Sequence, residues 1–140
     1  MADPRPPHAA PEEVTGKLHD LLTTLWSRSR ETIGERLEVL RTTHRILRTN
    51  PVDKNARRAG ADAAHKLAGI LGTFGLPDGT NLARHVEVML ESGAPIRQFD
   101  LDALQRAIDQ LHLMIEAKSK DAGKRRADRT STRLNSSHRR

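Results

Sequence analysis

Apolar residues recur every three or four positions along most of this 140-residue chain, and proline and glycine mark the few interruptions. That spacing lines one face of an α-helix, whereas a strand would need strict alternation. Val14, Leu18, Leu21, Leu22, Leu25 and Trp26, then Ile33, Leu37, Leu40, Ile46 and Leu47, trace a first helix to about Arg48, with a bend allowed near Ser29 to Thr32; Asn50-Pro51 ends it. A second helix opens near Asp53 and runs to Phe74, where Gly75 can take positive φ and Pro77 stops continuation. Asp78 is placed to cap a third helix carrying Leu82, Val86, Met89 and Leu90, which breaks at Ser92-Gly93-Ala94-Pro95. Asp100 begins a fourth, with Leu101, Leu104, Ile108, Leu111 and Ile115 as its seam. Four amphipathic helices with short connections bury their stripes most simply as an antiparallel four-helix bundle, so the expected fold class is all-α. The aromatics are only Trp26, Phe74 and Phe99, which also disfavours a sheet.

The length suits one domain, expected as a bundle over residues 12–118. Pro4, Pro6, Pro7 and Pro11 keep residues 1–11 extended, as a disordered N-terminal tail. The net charge of +6 belongs to the other end. From Lys118 to Arg140 nine Lys/Arg face two Asp, a net of +7, which leaves −1 for residues 1–117. A solvated, disordered basic tail over 119–140 is the simplest expectation, and a nucleic-acid or membrane-surface anchor is disfavoured because no aromatics interleave the charges. The final DRTSTRLNSSHRR also resembles translated sequencing-adaptor read-through, in which case Asp128–Arg140 are not native. There is no cysteine, which removes disulfides and thiolate chemistry. The N-terminus has no apolar signal core and no stretch of about 18 apolar residues occurs, so a cytoplasmic protein without a membrane span is expected.

Chemistry concentrates in the stretch AHKLAGILGTFGLP, Ala64–Pro77. Leu67, Leu71 and Phe74 form its buried stripe, yet Gly69 and Gly72 interrupt the helix, each at about 1 kcal/mol relative to alanine. At about 100° per residue, His65 points away from that stripe, and Ala61, Ala68, Gly69 and Gly72 lie within about 60° of it. Two uses of the small residues stay open: close packing of a crossing helix, or clear ground around a protruding histidine.

His65-Lys66-Leu67-Ala68-Gly69, then Leu71 and Phe74-Gly75, resembles the histidine-containing phosphotransfer (HPt) module of multistep two-component phosphorelays, whose usual pattern is H-x-L-K-G, a small residue, then L-G. The likeness covers roughly Val14 to Lys118, and Leu82-Ala83-Arg84 continues it. It implies an HPt-like bundle in which His65 accepts a phosphoryl group from a receiver-domain aspartate and Gly69 gives the receiver room. The implied partners are receiver domains of response regulators or hybrid histidine kinases. It departs from the pattern where the family usually has lysine and this chain has Ala68. Lys66 and Arg84 are the candidate substitutes, and Gly72 joins them in the docking set.

An imidazole suits this role, since its neutral form is nucleophilic without a base. Charge neutralisation during phosphoryl transfer comes mostly from the partner, where Mg²⁺ is expected, so no cofactor is expected in this chain. No G-x-x-x-x-G-K-[ST] is present, and autonomous kinase activity is unsupported. His8, His19, His44, His85, His112 and His138 form no metal-ligand spacing. The alternative is a non-phosphorylated HPt-like helical scaffold that binds signalling partners.

Overall fold

A computed structural model describes residues 11–138, with side chains described for 13–123. The described residues form four helices and no strand: α1 (Pro11–Thr49), α2 (Lys54–Thr73), α3 (Pro77–Glu91) and α4 (Gln98–His138). Each helix packs against two others, in the ring α1–α2–α3–α4 that closes back on α1. The direction of α4 against α1 follows from their cross-links. Trp26 Nε1 donates to Ser119 Oγ at 3.0 Å, while Arg41 meets His112 at 3.4 Å, so numbering falls along one helix as it rises along the other. This is the antiparallel four-helix bundle expected from the apolar spacing. Among the described residues no helix is long and apolar enough to cross a membrane.

The core is the sum of four stripes: Ile33, Leu40 and Leu47 from α1, Leu67 and Leu71 from α2, Val86 and Leu90 from α3, and Leu104, Ile108, Leu111 and Ile115 from α4. One end is closed by Trp26, whose ring meets Phe74 edge-on with centroids 5.1 Å apart. At a rise of 1.5 Å per residue α1 is about 58 Å long and α2 about 30 Å, so α1 overhangs the α2–α3 hairpin. It is one uninterrupted helix through Ser29–Thr32.

The helix ends have local causes. The Asp53 carboxylate accepts from the Ala56 amide at 2.8 Å and caps α2. At the other end Gly75 has φ +71°, its amide donates to Gly72 O, and the Leu76 amide donates to Leu71 O. This is a Schellman motif, with glycine in the left-handed conformation. It corrects the expectation for Asp78. Leu76 takes the N-cap position of α3 without a side-chain bond, and Pro77 starts the helix. Proline fits there because its missing N–H would have no partner in the first turn; Asp78 contributes only its charge. Asp100 lies inside α4 and reaches back to the Arg97 amide at 2.9 Å.

Residues 1–10 of the expected N-terminal tail lie outside the described residues, and Pro11 already belongs to α1. Where the sequence suggests a basic tail, the described backbone stays helical to His138. Lys, Arg and Ala dominate 117–127 and no proline occurs there, so helix propagation meets no block.

Candidate functional site

His65 stands on the exposed side of α2, beside the seam with α3. Its side chain is 72% exposed, while Leu67, two residues on, is fully buried. The outward direction read from helical spacing therefore holds. The ring is not loose: Nδ1 lies 2.9 Å from Oε2 of Glu87 on α3. That carboxylate is only 21% exposed, held between the two helices while the imidazole projects into solvent. Nε2 is the ring nitrogen left for outside chemistry.

Glu87 is absent from the site as read from the sequence, because helical periodicity describes one helix at a time. A signal for it exists nonetheless. In an antiparallel helical hairpin, residues equidistant from the turn face each other, and His65 and Glu87 are each eleven positions from Leu76 (76 − 65 = 87 − 76 = 11).

The small residues around His65 divide into two groups. Gly69 faces open space: a β-carbon built there would meet nothing within 4 Å. Gly72 faces α3, where a β-carbon would lie 3.4 Å from Thr80 Oγ1. Ala61 and Ala68 are buried against the bundle, Ala68 to 4% exposure. Thr80 Oγ1 also donates to the Ala68 carbonyl at 3.2 Å. The structure thus corrects the placement of Ala68 on the clear ground about the histidine. Its methyl lies under the α2–α3 seam, and a lysine in its place must run its stem along α3 to reach water. Gly69 alone of the four keeps the flank of His65 open.

Of the two candidate cations, Lys66 is engaged, its Nζ 3.1 Å from Asp62 one turn back. Arg84 is exposed on α3, one turn before Glu87, and makes no hydrogen bond or ion pair among the described residues. An open groove between α2 and α3 runs up to His65 from the N-terminal side of α2, with Val52, Ala61, Leu90 and Pro95 among its apolar lining. The arrangement can hold an imidazole in one orientation, present its free nitrogen to a partner, and admit that partner past Gly69.

The Hpt domain family model matches the chain over residues 12–120. Protein RcaC of Microchaete diplosiphon is 30% identical over 117 residues, an alignment that covers 79% of this chain and 18% of RcaC. The chain therefore spans less than a fifth of that relative's length. No solved structure matches the chain.

Proposed function

The chain belongs to the Hpt domain family, and on that premise we propose that it is a phosphocarrier of a multistep two-component phosphorelay, with His65 taking and passing on the phosphoryl group. The contact between His65 and Glu87 carries this reading. A carboxylate oxygen that accepts from Nδ1–H puts the ring proton on Nδ1, and in the neutral ring Nε2 then keeps its lone pair.

In the transfer, Nε2 attacks the phosphorus of an aspartyl phosphate in a receiver domain. The N–P bond forms as the P–O bond to the aspartate breaks, and the aspartate leaves as a carboxylate. The proton on Nδ1 stays in place. Positive charge grows on the ring as the N–P bond forms, and the Glu87 carboxylate at 2.9 Å offsets it. The reverse step delivers the group to a second receiver. Mg²⁺ held by the receiver would supply charge neutralisation at the phosphoryl oxygens, so the transfer needs no kinase apparatus or cofactor in this chain. Receiver domains of response regulators or hybrid histidine kinases are the partners, approaching past Gly69, and the setting is cytoplasmic. Arg84 supplies the cation that the family usually places at the position of Ala68.

Incubation with a phosphorylated receiver domain tests the assignment. The native protein should acquire acid-labile, alkali-stable label and His65→Gln none. The melting temperature should stay nearly unchanged, since exposed substitutions usually shift stability within about ±0.5 kcal/mol. No label on the native protein would leave the non-phosphorylated helical scaffold as the function. Label persisting in His65→Gln would place the site elsewhere.

A further inference from the structure

We propose that Arg57 is a positioning residue for the phosphoryl-accepting nitrogen: it ties the C-terminal end of α3 to α2, and so holds Glu87 against Nδ1 of His65. The tie stands on geometry alone, while its functional meaning rests on the phosphocarrier reading.

The C-terminal carbonyls of a helix lack intrahelical donors and carry the negative end of its dipole. The last turn of α3 has no basic residue of its own. Ser92 serves two of these carbonyls, its amide donating to Val88 O at 3.0 Å and its hydroxyl to Met89 O at 3.1 Å. Leu90 O is met from α2, together with carbonyls of the turn that follows. Arg57 Nε donates to Leu90 O at 3.1 Å, Nη1 to Ala94 O at 2.8 Å, and Nη2 to Ser92 O and, at 3.5 Å, to Met89 O. One half-buried guanidinium thus binds the end of α3 together with the turn that follows. Only a planar fork of five N–H donors reaches carbonyls spread this way; an ammonium is a point donor.

Glu87 lies in the turn of α3 that ends in these carbonyls, two residues before Met89 and three before Leu90. At the opposite end of the hairpin, the bond from Thr80 to Ala68 and the Gly75 turn fix the same two helices. The contact between His65 and Glu87 sits between these two ties. A hydrogen bond of 2.9 Å weakens with distance and steeply with misalignment, so a slide of α3 by about 1 Å would take the pair out of hydrogen-bond range.

The full-length chain permits two readouts. The first is imidazole ¹⁵N NMR of His65 in the unphosphorylated protein, which reports which nitrogen carries the proton. The native ring should be in the Nδ1–H form. Glu87→Ala should shift it toward the Nε2–H form that an unconstrained side chain prefers, and Arg57→Ala should shift it in the same direction. A native tautomer in Arg57→Ala overturns the proposal. The second readout is the rate at which phosphoramidate, a small donor that needs no docking, labels His65. Arg57→Ala should slow labelling by about three- to tenfold, the range expected for loss of one ordinary hydrogen bond, and should add no further loss in a Glu87→Ala background. Equal slowing in both backgrounds would mean that Arg57 does not act through Glu87, and overturns the proposal.

If Arg57→Ala does not fold, Arg57→Lys carries the same test. It keeps a cation at the end of α3 but loses the fork, so smaller shifts in the same directions are expected, and native behaviour in both readouts overturns the assignment. A native protein that takes no label overturns the phosphocarrier reading alone, and the tautomer readout then decides the role of Arg57.

Discussion

Gly60 and Leu90 stand so close that a β-carbon on the glycine would lie 2.8 Å from Leu90 Cδ1, and Thr43 blocks the same space at 2.8 Å from α1. Gly60 is therefore where α2 meets both of its neighbours. Thr43 cannot easily yield: it is β-branched, buried, and its hydroxyl donates to Val39 O at 2.9 Å. Gly60→Ala should destabilise by up to about 2 kcal/mol, because overpacking of about 1–3 kcal/mol outweighs the helix-propensity gain of about 1 kcal/mol. Gly69→Ala faces open space and should be neutral or stabilising by up to about 1 kcal/mol. Denaturant unfolding of the two variants checks the opposite signs.

The contrast between these glycines shows where sequence and structure part company. The apolar seams, the opening of α2 near Asp53 and the Gly75 turn were legible because each is set within one helix or one turn. Gly60, Glu87 and the burial of Ala68 depend on how α2 sits against α1 and α3. Periodicity gives a residue's angle on its own helix, and it puts His65 outward correctly. It does not give the width of the buried arc, which here extends through Ala64 to Ala61 and Ala68 because α3 approaches closely. Asp78 has the residue type of a cap, but the Schellman motif ends α2 so tightly that Leu76 and Pro77 already begin α3.

The Glu87 carboxylate has two separable effects on His65, orientation and charge. Glu87→Gln keeps an amide oxygen that accepts from Nδ1–H but removes the negative charge; Glu87→Ala removes both. Phosphoramidate labelling of His65 should therefore fall in the order native, Glu87→Gln, Glu87→Ala, with the alanine variant slowed by about tenfold, as expected for a charge-assisted hydrogen bond. Stability should change by less than about 1 kcal/mol, because His65 is 72% exposed and solvent screens the pair. Faster labelling of Glu87→Ala would reverse the role given to the carboxylate.

Docking can be separated from chemistry at Gly69. A leucine there extends into open space on the flank of His65, so the bundle should fold at least as stably, and phosphoramidate should label it at the native rate. Transfer from a phosphorylated receiver domain should nevertheless fall by about tenfold or more, equivalent to about 1.4 kcal/mol of lost transition-state binding. Undiminished transfer would show that the receiver approaches from another side.

The missing lysine leads to the remaining prediction. Lys66 is already paired with Asp62, whereas Arg84 is exposed, makes no ion pair among the described residues and lies one turn before Glu87. A solvent-exposed guanidinium acting on the phosphoryl oxygens is screened by salt, with a Debye length of about 10 Å at 0.1 M. Arg84→Ala should accordingly slow transfer from a receiver by about three- to tenfold at low ionic strength and by less at high ionic strength, while Lys66→Ala should have the smaller effect. Ala68→Lys provides the complementary test. Its stem would have to leave the α2–α3 seam along α3, so some loss of stability is expected, but the ammonium would emerge beside His65. In the Arg84→Ala background it should restore much of the lost rate if the two cations serve the same oxygens. Native transfer rates in Arg84→Ala at low salt would remove Arg84 from the site and leave charge neutralisation entirely to the receiver.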